Sequence, residues 1–417
     1  MISSFFSEGN LYLIPNYIKD DDAKRVLKIW EKLGLSEHVF IFSSGTGNQS
    51  SFKTYALSKS AIINNAMAVN RFLEATKRDI WFGSLPIEHI GGLSIHIRAQ
   101  LSQSSIIRWE EKWNVISFYQ ELKNSAATLT SLVPTQLYDL VKENLKAPKA
   151  LRGVFLGGDF CSTRLKDSAL ELGWPLICTY GMTENCSQIA STYYGNSLNQ
   201  SHKHQSKELM QVLEPFKIVD SEDHKKTLIS NSLYTGEILI SKDDFTFFKR
   251  EDTSSFLLPD NIYLETKIIK PDNAIQKTQQ WIKPLGRTTD EVKIKGRLFI
   301  LNELRDQLES VFFGLKLLNN ASYVLEGDER LGQKIFVLLE ESQKTKLDDL
   351  YQELLKLPFM DSSRNDPSGL IRLVNRIDRT LLGKVKAQKI ETSLKSVSYT
   401  HLRAHETDSL SRMPSSA

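Results

Sequence analysis

A chain of 417 residues, 41% hydrophobic and 25% charged, has the length and composition of a soluble globular protein of two or three domains. Its net charge of +3 comes from 53 basic and 50 acidic side chains mixed along the chain, which argues against nucleic acid or anionic lipid as a partner. No apolar run reaches the roughly 18 residues that span a bilayer. MISSFFSEGN lacks a basic and then apolar leader, and Cys161, Cys178 and Cys186, without a CxxC, support neither disulfides nor a thiolate zinc site; a cytoplasmic location is the expectation.

In chain order, short apolar runs alternate with helix-like stretches up to about residue 195. HVFIF (38–42), DIWFGSL (79–85), ATLTSLV (127–133), RGVFLGG (152–158) and PLICTY (175–180) read as strands, and SKSAIINNAMAVNRFLEAT carries apolar residues at helical spacing. This predicts an α/β fold with at least one largely parallel sheet. From about 196 to 284, shorter strand signals (EPFKIVD, GEILISK, NIYLETK) between polar turns predict a smaller β-rich part. LGRTTDEVKIKGRLFILNELRDQLESVF then reads as a turn, a basic hairpin and a helix. Two strands (ASYVLEG, QKIFVLLE), a helix (KLDDLYQELLKL) and a strand (IRLVNRI) complete a small α+β unit. The expected organisation is a large layered α/β domain over 1–286 and a small domain over 287–392. The stretch 396–417 has little apolar content and is expected to be disordered or non-native.

Four stretches carry the chemistry. FSSGTGNQSSFKTYALS (42–58) offers glycines, hydroxyls and backbone N–H groups that can wrap phosphate oxygens, with Lys53 as a point charge; it lacks the GK[ST] ending of an NTPase P-loop. RGVFLGGDF ends a strand in a glycine pair, TYGMTENCSQ ends another in a dense polar turn, and RTLLGKVKAQK presents a lysine after glycine. Taken singly, each has an ordinary structural reading: a surface loop, tight packing, a turn, a solvated cation. Their order and spacing are harder to assign to chance.

On these residues the chain resembles the acyl-adenylate-forming ligases, which activate carboxylic acids with ATP and usually pass the acyl group to coenzyme A. The first stretch is similar to that family's phosphate loop, TYGMTE to its YGxTE motif, LGRTTDEVKIKG to its hinge segment and RTLLGKV to its terminal lysine motif. LPIEHIGGLS (85–94), TLTSLVPTQLYDLV, LRGVFLGGDF and YGMTENCSQIAST are further similar to the members that act on 2-succinylbenzoate in menaquinone synthesis.

The resemblance implies roles. Ser43, Ser44, Gly45, Thr46, Gly47 and Lys53 would hold the β- and γ-phosphates, Glu184 a Mg²⁺ ion, and Thr183 the α-phosphate. Tyr180, with Gly181 and Met182, would lie at the adenine, Gly157 and Gly158 would make room for it, and Arg287 would reach the ribose. Lys384 would be the catalytic lysine of adenylation, and Lys295, Gly296 and Arg297 would border a pantetheine tunnel. His89 would border the acyl pocket, or equally be an ordinary core histidine, and Arg98 or Ser187 would serve a second carboxyl of the acid. Implied substrates are ATP, CoA and a small carboxylic acid. The other readings are a different aryl or acyl acid, or a binding protein that kept the fold and lost turnover.

Three departures accompany the likeness. The phosphate loop is longer than usual and has Phe52 in place of proline; the stretch matched to the ribose-binding TGD, YLETKII, holds no aspartate, with Glu265 as a substitute; and Thr289 stands at the hinge aspartate. Only about 40 residues precede the loop, which suggests a shortened variant or a fragment with apolar surface available for self-association, hence a homo-oligomer.

Overall fold

The computed structural model describes the chain except for residues 1, 17, 43–51, 195–208, 222–224, 242–243, 253, 270–276, 288–290, 295–296, 329–331, 358–369 and 378–417. It divides into two compact units, Met1–Thr289 and Asp290–Ala417.

Two large sheets organise the first unit. One has five strands in the order Leu11–Leu13, His38–Phe42, Phe52–Ser58, Gly236–Ile240, Phe245–Lys249. The other has nine, in the order Asp260–Ile269, Lys277–Arg287, Met210–Val212, Ser187–Tyr193, Leu176–Met182, Gly153–Leu156, Leu129–Leu132, Ile80–Gly83, Ser105–Arg108. The last five of these pair in parallel, as the alternating strand and helix pattern predicts, and the others add antiparallel strands at their side.

Side-chain alternation explains the layering. Successive residues of a strand point to opposite faces. In the five-stranded sheet Phe40, Phe42 and Ala56 face Val26, Ile29 and Trp30 of the helix Asp20–Lys32, whereas Val39, Ile41, Tyr55 and Leu57 face the helices Lys59–Leu73 and Ile90–Leu101. The far sides of these two helices supply Ala68, Val69, Leu73, Ile95 and Ala99 to the core over Trp81, Leu129, Phe155 and Ile177 of the nine-stranded sheet. Each fully buried large apolar side chain in these layers contributes roughly 1.5–3 kcal/mol.

The two central helices form for different reasons. Lys59–Leu73 starts at Ser58, whose hydroxyl accepts from Ala61 N at 3.2 Å, and ends at Glu74 in the left-handed region with its N–H on Arg71 O. Ile90–Leu101 is buried from Gly92 to Ala99, so it has no polar face to orient it. Gly92 is required there, because a Cβ would stand 2.0 Å from the carbonyl oxygen of Pro86.

The β-rich stretch does not stay together. Lys217–Asp220, Lys226–Ile229 and Ser255–Leu257 form a three-stranded sheet, but Gly236–Ile240 and Phe245–Lys249 join the N-terminal hairpin and Asp260–Ile269 with Lys277–Arg287 extends the nine-stranded sheet. Local pattern signals a strand; its partner is chosen by which buried faces remain uncovered.

In the second unit the strands Glu291–Ile294 and Arg297–Ile300 form a hairpin, followed by the helix Leu301–Gly314. Ala321–Asp328 and Gly332–Glu340 pair antiparallel, and Ile371–Val374 lies parallel to the latter. Leu304, Leu308 and Phe312 of the first helix, and Leu347, Leu350 and Leu354 of the helix Leu347–Leu355, are buried.

Candidate active site

The YGMTE motif is the tip of a hairpin. Leu176–Met182 and Ser187–Tyr193 pair antiparallel, with an irregularity between Tyr180 and Gly181, and a single 3₁₀ turn, Thr183–Asn185, joins them. Gly181 is needed for the pairing, since a Cβ would meet Ser187 O at 2.0 Å and the Gln188 Cα at 2.4 Å. Cys186 and Ser187 both take positive φ (57° and 132°), a conformation that costs non-glycine residues of order 1–3 kcal/mol each. Surrounding elements hold the turn in place: Asn65 Nδ2 donates to Asn185 O and Gln188 O at 2.9 Å, Ser230 donates to Asn185 Oδ1 at 2.7 Å, and Tyr234 N donates to Glu184 O at 2.9 Å.

On one side of this turn Glu184 meets the strand that follows the glycine-rich loop. The Tyr55 hydroxyl donates to Glu184 Oε1 at 2.7 Å. Lys53, two residues earlier and on the same strand face, lies 5.3 Å from the Tyr55 ring centroid, and its Nζ is 2.8 Å from Glu237 Oε2. Burial, and next the charge of Glu184, push the Tyr55 hydroxyl far above its ordinary value, so it remains a donor at neutral pH. Two motifs well apart in sequence are thus joined through one phenol. Sequence reading missed Tyr55 and Glu237; the period-2 placement of a tyrosine beside Lys53 was the available signal for the first.

On the other side of the turn is a buried cation. Arg98, from the buried helix Ile90–Leu101, is 2% exposed; its NH2 group donates to Ser187 Oγ at 3.2 Å and its guanidinium lies 5.5 Å from the Phe155 ring centroid. Its Nε has no partner, and no carboxylate pairs with it among the described residues. Burial pushes the guanidinium down to about 9, the expense of a desolvated charge without a counter-ion. The hydroxyl of Ser94, one helical turn earlier, is also buried and without a partner.

The residues expected from the sequence to lie at the purine fall at the ends of the same strands. Tyr180 packs against the main core, and its hydroxyl donates to Asp260 Oδ2 at 2.5 Å. Asp260 is in register with Arg287 across the pair Asp260–Ile269 and Lys277–Arg287. Glu265 is instead in register with Trp281 and pairs with Lys267 at 2.7 Å, away from Tyr180. Asp260, which sequence reading did not single out, is therefore the acidic side chain that meets Tyr180. Counting back from Arg287 through an antiparallel hairpin would have found it.

Gly157 and Gly158 have separate reasons. A Cβ on Gly157 would meet Thr179 Oγ1 at 2.3 Å, and Gly158 has φ +86°. Thr183 accepts at its carbonyl from Cys186 N, and Met182 packs against the main core. His89 begins the helix Ile90–Leu101 without a side-chain cap, is 8% exposed, and is pushed below its ordinary value by burial, hence neutral at pH 7.

Ser43, Ser44, Gly45, Thr46, Gly47, Lys295, Gly296 and Lys384 lie outside the described residues, as do Thr289 and the stretch 396–417. For Arg287 and Arg297 the backbone is described, at the end of one strand and the start of another.

Residues 36–246, just over half of the chain, match the family model described as AMP-binding enzyme. The chain belongs to this AMP-binding family. A 2-succinylbenzoate–CoA ligase of Staphylococcus aureus strain MSSA476 is 38% identical over 109 residues, which are 26% of this chain and 22% of that relative; the match thus spans about a fifth of the curated relative's length. Among solved structures, the o-succinylbenzoate CoA synthetase of Bacillus subtilis in complex with an acyl-adenylate intermediate aligns with a TM-score of 0.63 at 19% identity, over 86% of this chain and 70% of that one. The same enzyme in complex with ATP and magnesium ion aligns with a TM-score of 0.60 at 18% identity, over 85% and 69%. At this identity the two likenesses show the AMP-binding fold.

The donor set suits a hard cation that binds chiefly through its substrate. Among the described residues no group of three or more His, Cys, Asp or Glu side chains gathers, and Glu184 is a half-buried carboxylate. Glu184 would hold a Mg²⁺ ion that arrives chiefly with its substrate, whereas Zn²⁺ or Ca²⁺ would call for a fuller set of protein ligands.

Proposed function

We propose that the chain joins a carboxylic acid to ATP as an acyl-adenylate, releasing pyrophosphate, and transfers the acyl group to coenzyme A, with 2-succinylbenzoate or a closely similar aromatic dicarboxylic acid as substrate. The observation that carries the choice of acid is Arg98. A fully buried guanidinium whose Nε has no partner among the described residues, with a serine hydroxyl beside it, would be completed by a carboxylate. A monocarboxylic substrate consumes its carboxylate in the reaction; a dicarboxylic one keeps a second for Arg98.

In this reading Lys53 and the residues Ser43, Ser44, Gly45, Thr46 and Gly47 neutralise the leaving pyrophosphate, and Glu184 holds Mg²⁺, which would spread the phosphate charge. Thr183 donates to the α-phosphate. Tyr180, Gly181 and Met182 flank the adenine beside Gly157 and Gly158, and Asp260 with Arg287 takes the ribose hydroxyls. His89 lines the acid side. Lys384 brings a cation to the reacting carboxylate and α-phosphate, and Lys295, Gly296 and Arg297 line the approach of CoA.

Incubation with ATP, Mg²⁺, CoA and a panel of acids tests the reading. Pyrophosphate release and thioester formation are expected with 2-succinylbenzoate at an efficiency at least tenfold above benzoate or simple fatty acids. Lys384→Ala is expected to lower pyrophosphate release about 100-fold or more while sparing thioester formation from preformed acyl-adenylate. ATP binding without pyrophosphate from any acid would favour the binding-protein reading, which the Lys53–Glu237 ion pair also supports by occupying the phosphate-loop lysine.

A further inference from the structure

We infer that Tyr55 is a positioning residue for Glu184: its hydroxyl holds one carboxylate oxygen so that the other is presented to a divalent cation on the bound nucleotide. The inference rests on the reading of Glu184 as the ligand of that cation and adds a residue to it.

The geometry separates what fixes the main chain of Glu184 from what fixes its carboxylate. The main chain is held by Tyr234 N on Glu184 O and by the anchored 3₁₀ turn on which Glu184 sits. Neither of these restrains the side chain, which has three rotatable bonds. Freezing such a side chain costs up to about 2 kcal/mol, a charge that falls on each binding event unless something holds the carboxylate beforehand. Among the described residues the one hydrogen bond to that carboxylate is the Tyr55 hydroxyl, on Oε1 at 2.7 Å, and Glu184 makes no ion pair.

Tyr55 is itself placed rigidly. It sits mid-strand, in register with Ile41 on one side and Glu237 on the other, and is 1% exposed. The Tyr234 ring meets it edge-on, with centroids 5.3 Å apart at 79°, and Arg250 lies over Tyr234 at 4.9 Å. A site on rigid strands holds its geometry better than one on a loop. Hydrogen-bonded carboxylates orient a metal in the same way elsewhere, and removal of such an outer partner costs affinity rather than fold. The tyrosine is also neutral, so it orients Glu184 without cancelling the charge a cation needs, as an arginine or lysine would.

The test measures Mn²⁺, as a paramagnetic substitute for Mg²⁺, by electron paramagnetic resonance on the full chain saturated with a non-hydrolysable ATP analogue. Wild type, Tyr55→Phe, Glu184→Gln and the double variant are compared, with metal-free ATP affinity and thermal melting alongside. Tyr55→Phe keeps the ring and removes one oxygen, and is expected to weaken Mn²⁺ about fivefold to tenfold, with metal-free ATP affinity within twofold of wild type. In the Glu184→Gln background the same substitution is expected to change Mn²⁺ affinity by less than twofold. An unchanged Mn²⁺ affinity in Tyr55→Phe, with Glu184→Gln still weakened, overturns the positioning role alone. An equal loss in both backgrounds assigns Tyr55 to general structure and also overturns it. If Glu184→Gln itself binds Mn²⁺ as wild type does, the assignment of Glu184 as ligand fails, and this inference with it.

Discussion

The two sides of the hairpin tip at Thr183–Asn185 treat charge in opposite ways. Glu184 is half-exposed and restrained by the neutral Tyr55 hydroxyl. Arg98, beside Ser187 at the other end of the same turn, is fully buried and has no carboxylate partner among the described residues. The contrast teaches which partner each side awaits. A half-exposed carboxylate suits a hydrated ion, while a desolvated guanidinium suits an anion that would pair with it away from water. One turn of chain separates the two, so in the proposed reading nucleotide and acid would meet on adjoining sides of a single strand end.

The most disruptive way to break this arrangement is to remove the turn that both sides share. Gly181→Ala places a methyl 2.0 Å from Ser187 O, so the hairpin must open; a loss of about 3 kcal/mol or more in denaturant unfolding is expected, with both Mn²⁺ and acid affinities impaired. An unfolding free energy within about 1 kcal/mol of wild type would show that the turn adapts.

Arg98→Met removes one side only. The efficiency with the dicarboxylic acid is expected to fall about 100-fold, with little change in Mn²⁺ affinity, and the melting temperature is expected to stay level or rise because an uncompensated buried charge has gone. A lower melting temperature with acid efficiency intact would make Arg98 structural and end the contrast.

The third test uses pH. His96, on the same buried helix as Arg98, is pushed down to about 4 by burial, against an ordinary value of 6.5. Between these values the unfolded chain binds a proton that the folded chain does not, so stability rises with pH in that window. Acidification from pH 6.5 to about 4 is expected to cost on the order of 2 kcal/mol, the loss being complete below about 4, and His96→Gln is expected to flatten that slope in unfolding titrations.

The smallest effect concerns the nucleotide alone. Asp260→Asn keeps the size of the side chain next to Tyr180 and tests the proposed ribose contact: the KM for ATP is expected to rise about threefold to fivefold with the KM for the acid unchanged. An unaltered KM for ATP would return Asp260 to a role in holding Tyr180.

Much of this was legible before any tertiary structure. The strands HVFIF and PLICTY, the helix Lys59–Leu73, and the order of the loop, YGMTE and terminal lysine motifs follow from local period and spacing along the chain. Strand partners did not follow. The stretch between 196 and 284 reads as one β-rich part yet is shared among three sheets, because pairing depends on which apolar faces remain uncovered elsewhere.

The site divides in the same manner. Glu184, Lys53 and Arg98 can be named from motif and residue type, since a carboxylate, an ammonium and a guanidinium carry their charge wherever they stand. That Tyr55 holds Glu184, that Asp260 rather than Glu265 meets Tyr180, and that Arg98 has no carboxylate partner among the described residues were decided only in the folded chain. Contact, burial and register arise between segments far apart in sequence, and no local pattern encodes them.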